Sequence, residues 1–160
     1  MKLVITDLAE SNFSITGEHK IIRPGAIAPC IGCFGCWVQT PGRCVIHDGW
    51  ETLGETLGKS EELILISACC WGSVSPFVKT AQDRILSFFL PDFKIRRGEM
   101  HHKLRYKGTR SLTAVFYGSV TERERETAEK LMRANAVNYS ASLAAVHFCA
   151  SAKDTEGVSL

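Results

Sequence analysis

The sequence contains no apolar run approaching the roughly 20 residues that a membrane-spanning helix needs. Its first residues, Met1 to Phe13, include acidic and polar side chains where a secretory signal would carry its apolar core. Net charge is only +2 over 160 residues, so no global field announces a nucleic-acid partner. Repeats, low-complexity tracts and Pro/Gly-rich linkers are missing, and nothing marks a second domain. Residues 1–150 therefore read as one domain, and the polar segment Ser151 to Leu160 as a tail expected to fray. No Ser-His-Asp set emerges. The chain is expected to be cytoplasmic, where reducing conditions disfavour a disulfide framework and favour metal-binding or catalytic thiols.

Against these absences stand seven cysteines, four of them close together at Cys30, Cys33, Cys36 and Cys44. Two consecutive Cys-x-x-Cys steps aim three thiols at one small volume. A turn ending Pro41-Gly42-Arg43 returns the fourth. Four thiolates around one point make a cage for a metal or a cluster. Zinc takes four thiolates tetrahedrally, whereas closely spaced Cys-x-x-Cys-x-x-Cys ligands suit several faces of one iron–sulfur cube. Free or redox-active thiols are the third reading.

Hydrophobic patterning places strands at Lys2–Thr6, His19–Arg23, Leu63–Ala68, Leu112–Tyr117 and Leu143–Cys149. Leu63–Ala68 is apolar on both faces, as a central parallel strand must be. Asp48 and Glu51 have capping-box spacing ahead of a helix whose Trp50, Leu53 and Leu57 share a face, with Gly54 and Gly58 weakening it. Ser75 is a helix N-cap with Pro76 in the first turn, and Phe77, Val78, Ala81, Ile85, Phe88 and Phe89 form the buried stripe. Thr121 and Glu124 make a second capping box before a helix to about Val137. The segment Lys94–Arg110, with seven Lys or Arg against one Glu, reads as a long solvated loop. Alternating strands and helices predict a doubly wound parallel sheet of five strands, with ligands outside the carboxyl ends of the strands.

Three segments carry a family resemblance: Pro29-Cys-Ile-Gly-Cys-Phe-Gly-Cys-Trp37 continuing to Cys44 and Asp48; Trp71-Gly-Ser-Val-Ser75 with Lys79 and Asp83-Arg84; and Gly98 to Tyr106. From about Ala28 to Lys107 the chain resembles the flavodoxin-like NAD(P)H-dependent FMN reductases, and within them the iron–sulfur flavoproteins. That resemblance implies a flavodoxin-like three-layer sandwich, often dimeric. It implies FMN against the loop Cys70, Trp71, Gly72, Ser73 and Ser75, and a 4Fe–4S cluster on Cys30, Cys33, Cys36 and Cys44. Hydride would come from NAD(P)H, and electrons would pass between flavin and cluster towards a redox partner protein. Lys103 and Arg105 are weaker candidates for nucleotide phosphate.

The chain departs from that pattern after its first strand. Only the 12 residues Asp7–Glu18 separate the first two strands, with no apolar helical face, so the first βα unit is reduced. Ser11 and Ser14 remain as hydrogen-bond donors to a phosphate. Two functions follow as expectations. One is a flavin-dependent oxidoreductase or electron-transfer protein. The other is a flavodoxin-like module that has lost FMN and serves as a binding or assembly partner, or holds thiols or metal. Cys69 and Cys70 read as buried thiols at the flavin edge. His101 and His102 read as loop residues, and His147 as a packed strand residue. No nucleic-acid motif accompanies the basic stretch, so nucleic acid is not an expected partner.

Overall fold

The computed structural model describes residues 1–10, 13–25 and 27–160. Its main sheet has five parallel strands: β1 (Lys2–Thr6), β2 (His19–Ile22), β3 (Glu62–Ala68), β6 (Ser111–Tyr117) and β7 (Ser142–Cys149). Their spatial order, β2-β1-β3-β6-β7, is the flavodoxin-like order of doubly wound sheets. β1 and β3 lie at the centre because both are apolar on both faces: Leu3, Val4, Ile5, Leu63, Ile64, Leu65 and Ile66 are all buried. Here the chain reverses its direction of winding, and the crevice at their carboxyl ends is where such sheets take ligands.

One face of the sheet carries the helices α2 (Leu53–Lys59), α3 (Pro76–Asp83) and α4 (Glu122–Tyr139), the first short helix α1 (Gly35–Val38) belonging to the cysteine loop. α3 starts at Ser75, whose hydroxyl accepts from the Val78 N–H, and continues into a 3-10 segment, Arg84–Phe88. α4 begins with the reciprocal capping box of Thr121 and Glu124. Their apolar stripes, including Val78, Ala81, Ile85, Phe88, Ala128 and Met132, fill the larger core.

Among the described residues, the opposite face has no comparable helix. It is covered by Phe13 and Ile15 from the β1–β2 connection and by Val158 and Leu160, packed on Val4, Ile64, Ile66 and Val115. The expectation of a fraying tail is therefore corrected. Leu160 is 8% exposed, its N–H donates to the Ser14 carbonyl at 3.1 Å, and its carbonyl accepts from the Thr16 N–H at 2.8 Å. The tail closes an apolar face that the reduced first unit leaves bare.

Two further elements differ from expectation. The stretch after Phe88 is an antiparallel hairpin, β4 (Phe89–Arg96) and β5 (Glu99–Leu104), and not a loop. Arg97 and Gly98 turn it with φ of 52° and 82°, the positive-φ pair of a tight hairpin turn. Asp48 does not cap α2, which begins five residues later with Thr52 as its N-cap. Its carboxylate is spent elsewhere, on Arg84. Gly54 and Gly58 are approach points: a Cβ at Gly54 would lie 2.4 Å from the Phe88 nitrogen, and one at Gly58 2.4 Å from the Tyr106 ring.

Candidate metal centre

The cysteine loop is rooted on a buried ion pair. Arg84, 2% exposed in an otherwise apolar stripe, donates from Nη1 to the Ala28 carbonyl and to Asp48 Oδ2, each at 2.7 Å, and from Nη2 to Asp48 Oδ1 at 3.0 Å. Asp48 in turn accepts from the Ala28 N–H at 2.9 Å and the Trp50 N–H at 3.0 Å. The Arg84 hydrogen bond, working against burial, holds the Asp48 carboxyl down at about 2. Both ends of the loop, at Ala28 and Asp48, are thus fastened to one guanidinium.

Within the loop, Gly32 and Phe34 take positive φ, 66° and 54°, and reverse the chain between cysteines. α1 then buries Gly35 and Cys36. Gly35 has no room for a side chain, since a Cβ there would sit 2.6 Å from Val45 Cγ1. The Trp37 indole N–H donates to the Phe89 carbonyl at 3.0 Å and pins this short helix to the start of the hairpin. A turn at Thr40–Arg43, closed by the Arg43 N–H to the Thr40 carbonyl at 2.8 Å, brings Cys44 back, where its N–H donates to the Glu51 carbonyl at 2.8 Å.

These constraints place the four cysteines on one anchored loop around Cys36. Burial pushes the Cys36 thiol up, and the charges of Cys44, Cys30 and Cys33 push it further, so all three lie within electrostatic reach of it. Cys33 Sγ accepts from the Gly35 N–H at 3.4 Å. Burial opposes the Arg84 charge, but the Asp48 carboxylate and the neighbouring Cys44 sulfur outweigh it and raise the Arg84 pKa. Among the described residues, no three His, Cys, Asp or Glu side chains are drawn tightly enough together to grip a single ion. The four soft donors fit iron–sulfur ligation in type and in number.

The second expected site lies at the carboxyl edge of the sheet. Cys70 and Ser73 exchange backbone hydrogen bonds, both 2.8 Å, around a turn whose residues Trp71 and Gly72 have φ of 57° and 78°. Trp71 is 89% exposed. Gly72 abuts α4, where a Cβ would meet Thr127 Cβ at 2.6 Å. Ser75 is occupied with its cap and with its own N–H, which donates to Ser67 Oγ at 2.7 Å.

The phosphate end of that site is different in kind. Asp7 stands at the switch point, accepting from the Ala68 N–H at 2.9 Å and from the Tyr117 hydroxyl at 3.0 Å, and so ties β1, β3 and β6 together. Burial, then the Asp7 charge, drives the Tyr117 pKa up and keeps the phenol protonated. No helix follows β1 among the described residues. Ser14 is exposed on the second face, two residues before Thr16, whose hydroxyl accepts from Lys2 Nζ at the other end of β1. Ser11 lies outside the described residues. Of the expected phosphate contacts, Lys103 is exposed on the hairpin, and Arg105 is held against the Ser87 carbonyl at 3.1 Å.

The structure thus carries Cys30, Cys33, Cys36 and Cys44 on one anchored loop, and places Cys70, Trp71, Gly72 and Ser73 in one turn that leads to the N-cap Ser75. It does not bring Ser14 to that turn. What sequence reasoning missed is the pairing of Arg84 with Asp48, which it had named only as part of the resemblance and as a helix cap; together they form the clamp beneath the cysteines. The available signal was Arg84 falling on the apolar stripe of Ala81, Ile85 and Phe88, where a buried charge demands a partner. No protein-family model matches the chain, and no curated protein matches it.

Proposed function

We propose that this protein is a small electron-transfer protein in which Cys30, Cys33, Cys36 and Cys44 hold an iron–sulfur cluster on a flavodoxin-like frame that has given up FMN. What supports this reading is the spacing of four cysteines along one loop, with Cys36 buried in α1 and both ends of the loop, Ala28 and Asp48, fastened to the buried Arg84. When bound, a four-iron cluster supplies one-electron redox chemistry. The chain's own residues do the rest. Arg84 counters the thiolate charge, the Gly35 N–H hydrogen-bonds Cys33, and α1 with Trp37 shields Cys36 from water. Hydrogen bonds to sulfur and burial are the levers by which a protein sets a cluster's potential.

The described residues at the switch point do not fit FMN. A phosphate dianion is bound by aligned amide N–H groups at a helix N-terminus. Here a carboxylate, Asp7, stands at the end of β1, and its lone pairs take up the donors Ala68 N–H and Tyr117 OH. Without a flavin, the two-electron hydride of NAD(P)H has no acceptor in this chain, since a cluster takes electrons singly. The resemblance then supports the frame and the cysteines, and not the nicotinamide-linked activity.

Electron paramagnetic resonance on protein isolated without oxygen and reduced with dithionite tests this function. A low-temperature signal of a reduced cluster, lost in Cys36→Ala, supports it. A silent sample after reconstitution with iron and sulfide refutes it.

A further inference from the structure

The β4–β5 hairpin has two unlike faces. Arg96 and His101 are turned towards the end of α4, Arg96 donating to the Val137 carbonyl and, at 3.3 Å, to the Asn138 carbonyl, while His101 Nδ1 lies 3.4 Å from Asn138 Oδ1. The alternate residues form the other face. Phe93 pairs with His102 and Ile95 with Met100 across the strands. Phe93, Ile95 and Met100 are 56%, 67% and 67% exposed. Exposed apolar residues scattered singly need no explanation, but three on one face of a two-stranded ribbon form a patch.

That patch is continuous with the cysteine loop. Ring centroids of Phe93 and His102 are 4.4 Å apart, those of His102 and Trp37 4.9 Å, and those of Trp37 and Phe34 5.2 Å. His102 is fixed between them by donating from Nδ1 to the Leu90 carbonyl at 2.8 Å. At the cysteine end, Ile31, Phe34 and Val38 are 70%, 51% and 74% exposed, interleaved with Cys30, Cys33 and Cys36. A ladder of rings therefore runs from the residue after Cys36 to the outer face of the hairpin.

We infer that this face is the docking surface for a negatively charged electron-carrier protein. The inference rests on reading the cysteines as a redox site, and names the partner of that site. Charge decides between occupants. Arg97 at the turn, Lys107 beside the hairpin and Arg43 next to Cys44 are exposed at the edge of this face, with Lys94 and Lys103 exposed on the alternate side of the ribbon, against exposed Asp92 and Glu99. A second copy seated face to face would bring this cationic rim against itself. An acidic carrier with an apolar centre meets attraction at the rim and buries Ile95 and Met100 at the centre. A membrane also attracts basic and apolar residues together, but it gives no role to a ring ladder ending at the thiols.

The test uses protein purified without oxygen, with its iron counted in the same sample. A plant-type [2Fe–2S] ferredoxin serves as the acidic probe and cytochrome c as the basic one, with binding followed by calorimetry at low and high salt. The ferredoxin should bind and weaken at least about tenfold with salt, while cytochrome c should not bind. Ile95→Glu with Met100→Glu should weaken it by a further factor of about ten with iron content and Tm unchanged, because both side chains are already in water. Arg97→Glu with Lys107→Glu should reduce the salt dependence. Unchanged binding in the apolar variant overturns the inference. So does a dimer that Ile95→Glu splits, or co-sedimentation with phosphatidylserine vesicles in place of ferredoxin binding. Ferredoxin binding by protein that never takes iron would leave the surface standing and remove the cluster. Full iron without binding would do the reverse.

Discussion

Arg84 donates two parallel hydrogen bonds to Asp48, at 2.7 and 3.0 Å, with the arginine side chain wholly withdrawn from water. The pair joins the 3-10 segment after α3 to both ends of the cysteine loop. It ties the architecture of the sheet to the geometry of the thiols.

Removing one partner of such a pair leaves an uncompensated buried charge. Asp48→Asn should therefore cost about 3–5 kcal/mol in urea unfolding, and it should loosen the loop enough to lower iron retention. The pH dependence has a definite sign. Asp48 is held down to about 2 in the folded protein, so its contribution is present above the ordinary carboxylate range and is lost as pH falls towards 2. Wild-type stability should drop by about 2 kcal/mol across that acid window, and Asp48→Asn should show a flatter profile there.

Gly54→Ala offers a test of helix propensity against packing. Propensity alone favours alanine by about 1 kcal/mol. The new Cβ would lie 2.3 Å from Ser87 Oγ and 2.4 Å from the Phe88 nitrogen, and backbone does not yield cheaply. The variant should be less stable by about 1–3 kcal/mol, measured by denaturant titration. A gain in stability would show that α2 and the 3-10 segment are not in this contact.

The parallel strands were legible because their apolar runs, such as Leu63–Ala68, exceed anything a surface segment carries. The caps at Ser75 and Thr121 were legible because they are local. The hairpin was not, since Phe93, Ile95 and Met100 face solvent and their alternation is masked by basic neighbours and Pro91. Asp48 was misassigned because its capping-box spacing to Glu51 is a local signal overruled by a distant arginine. The burial of Leu160 could not be read, since it depends on a sheet face that only the tertiary structure leaves uncovered. Among site residues, the four cysteines stood out by spacing. Arg84 acquired meaning only once Asp48 and Cys44 lay beside it.

Cysteine substitutions should divide into two groups. Cys33 is exposed, so Cys33→Ala should leave Tm of the metal-free protein almost unchanged while abolishing most of the bound iron. Cys149→Ala, on the last strand, should keep all of it. Iron analysis on both variants checks the division, and equal iron in the two would remove Cys33 from the ligand set.

FMN added to the protein should keep its full fluorescence, and NADPH should remain unoxidised in the mixture. Asp7→Ser, which removes the carboxylate and supplies a hydroxyl, should still not quench FMN, because no helix N-terminus is restored with it. Quenching by the wild-type protein at micromolar concentration would mean that the carboxyl edge accommodates a flavin despite Asp7.

The most direct measurement is the iron and acid-labile sulfide content, with the visible spectrum, of protein purified and reconstituted without oxygen. The account predicts a brown protein with about four iron and four sulfide per chain, bleached by dithionite. A colourless protein holding zinc, or no metal at all, after that treatment would contradict it.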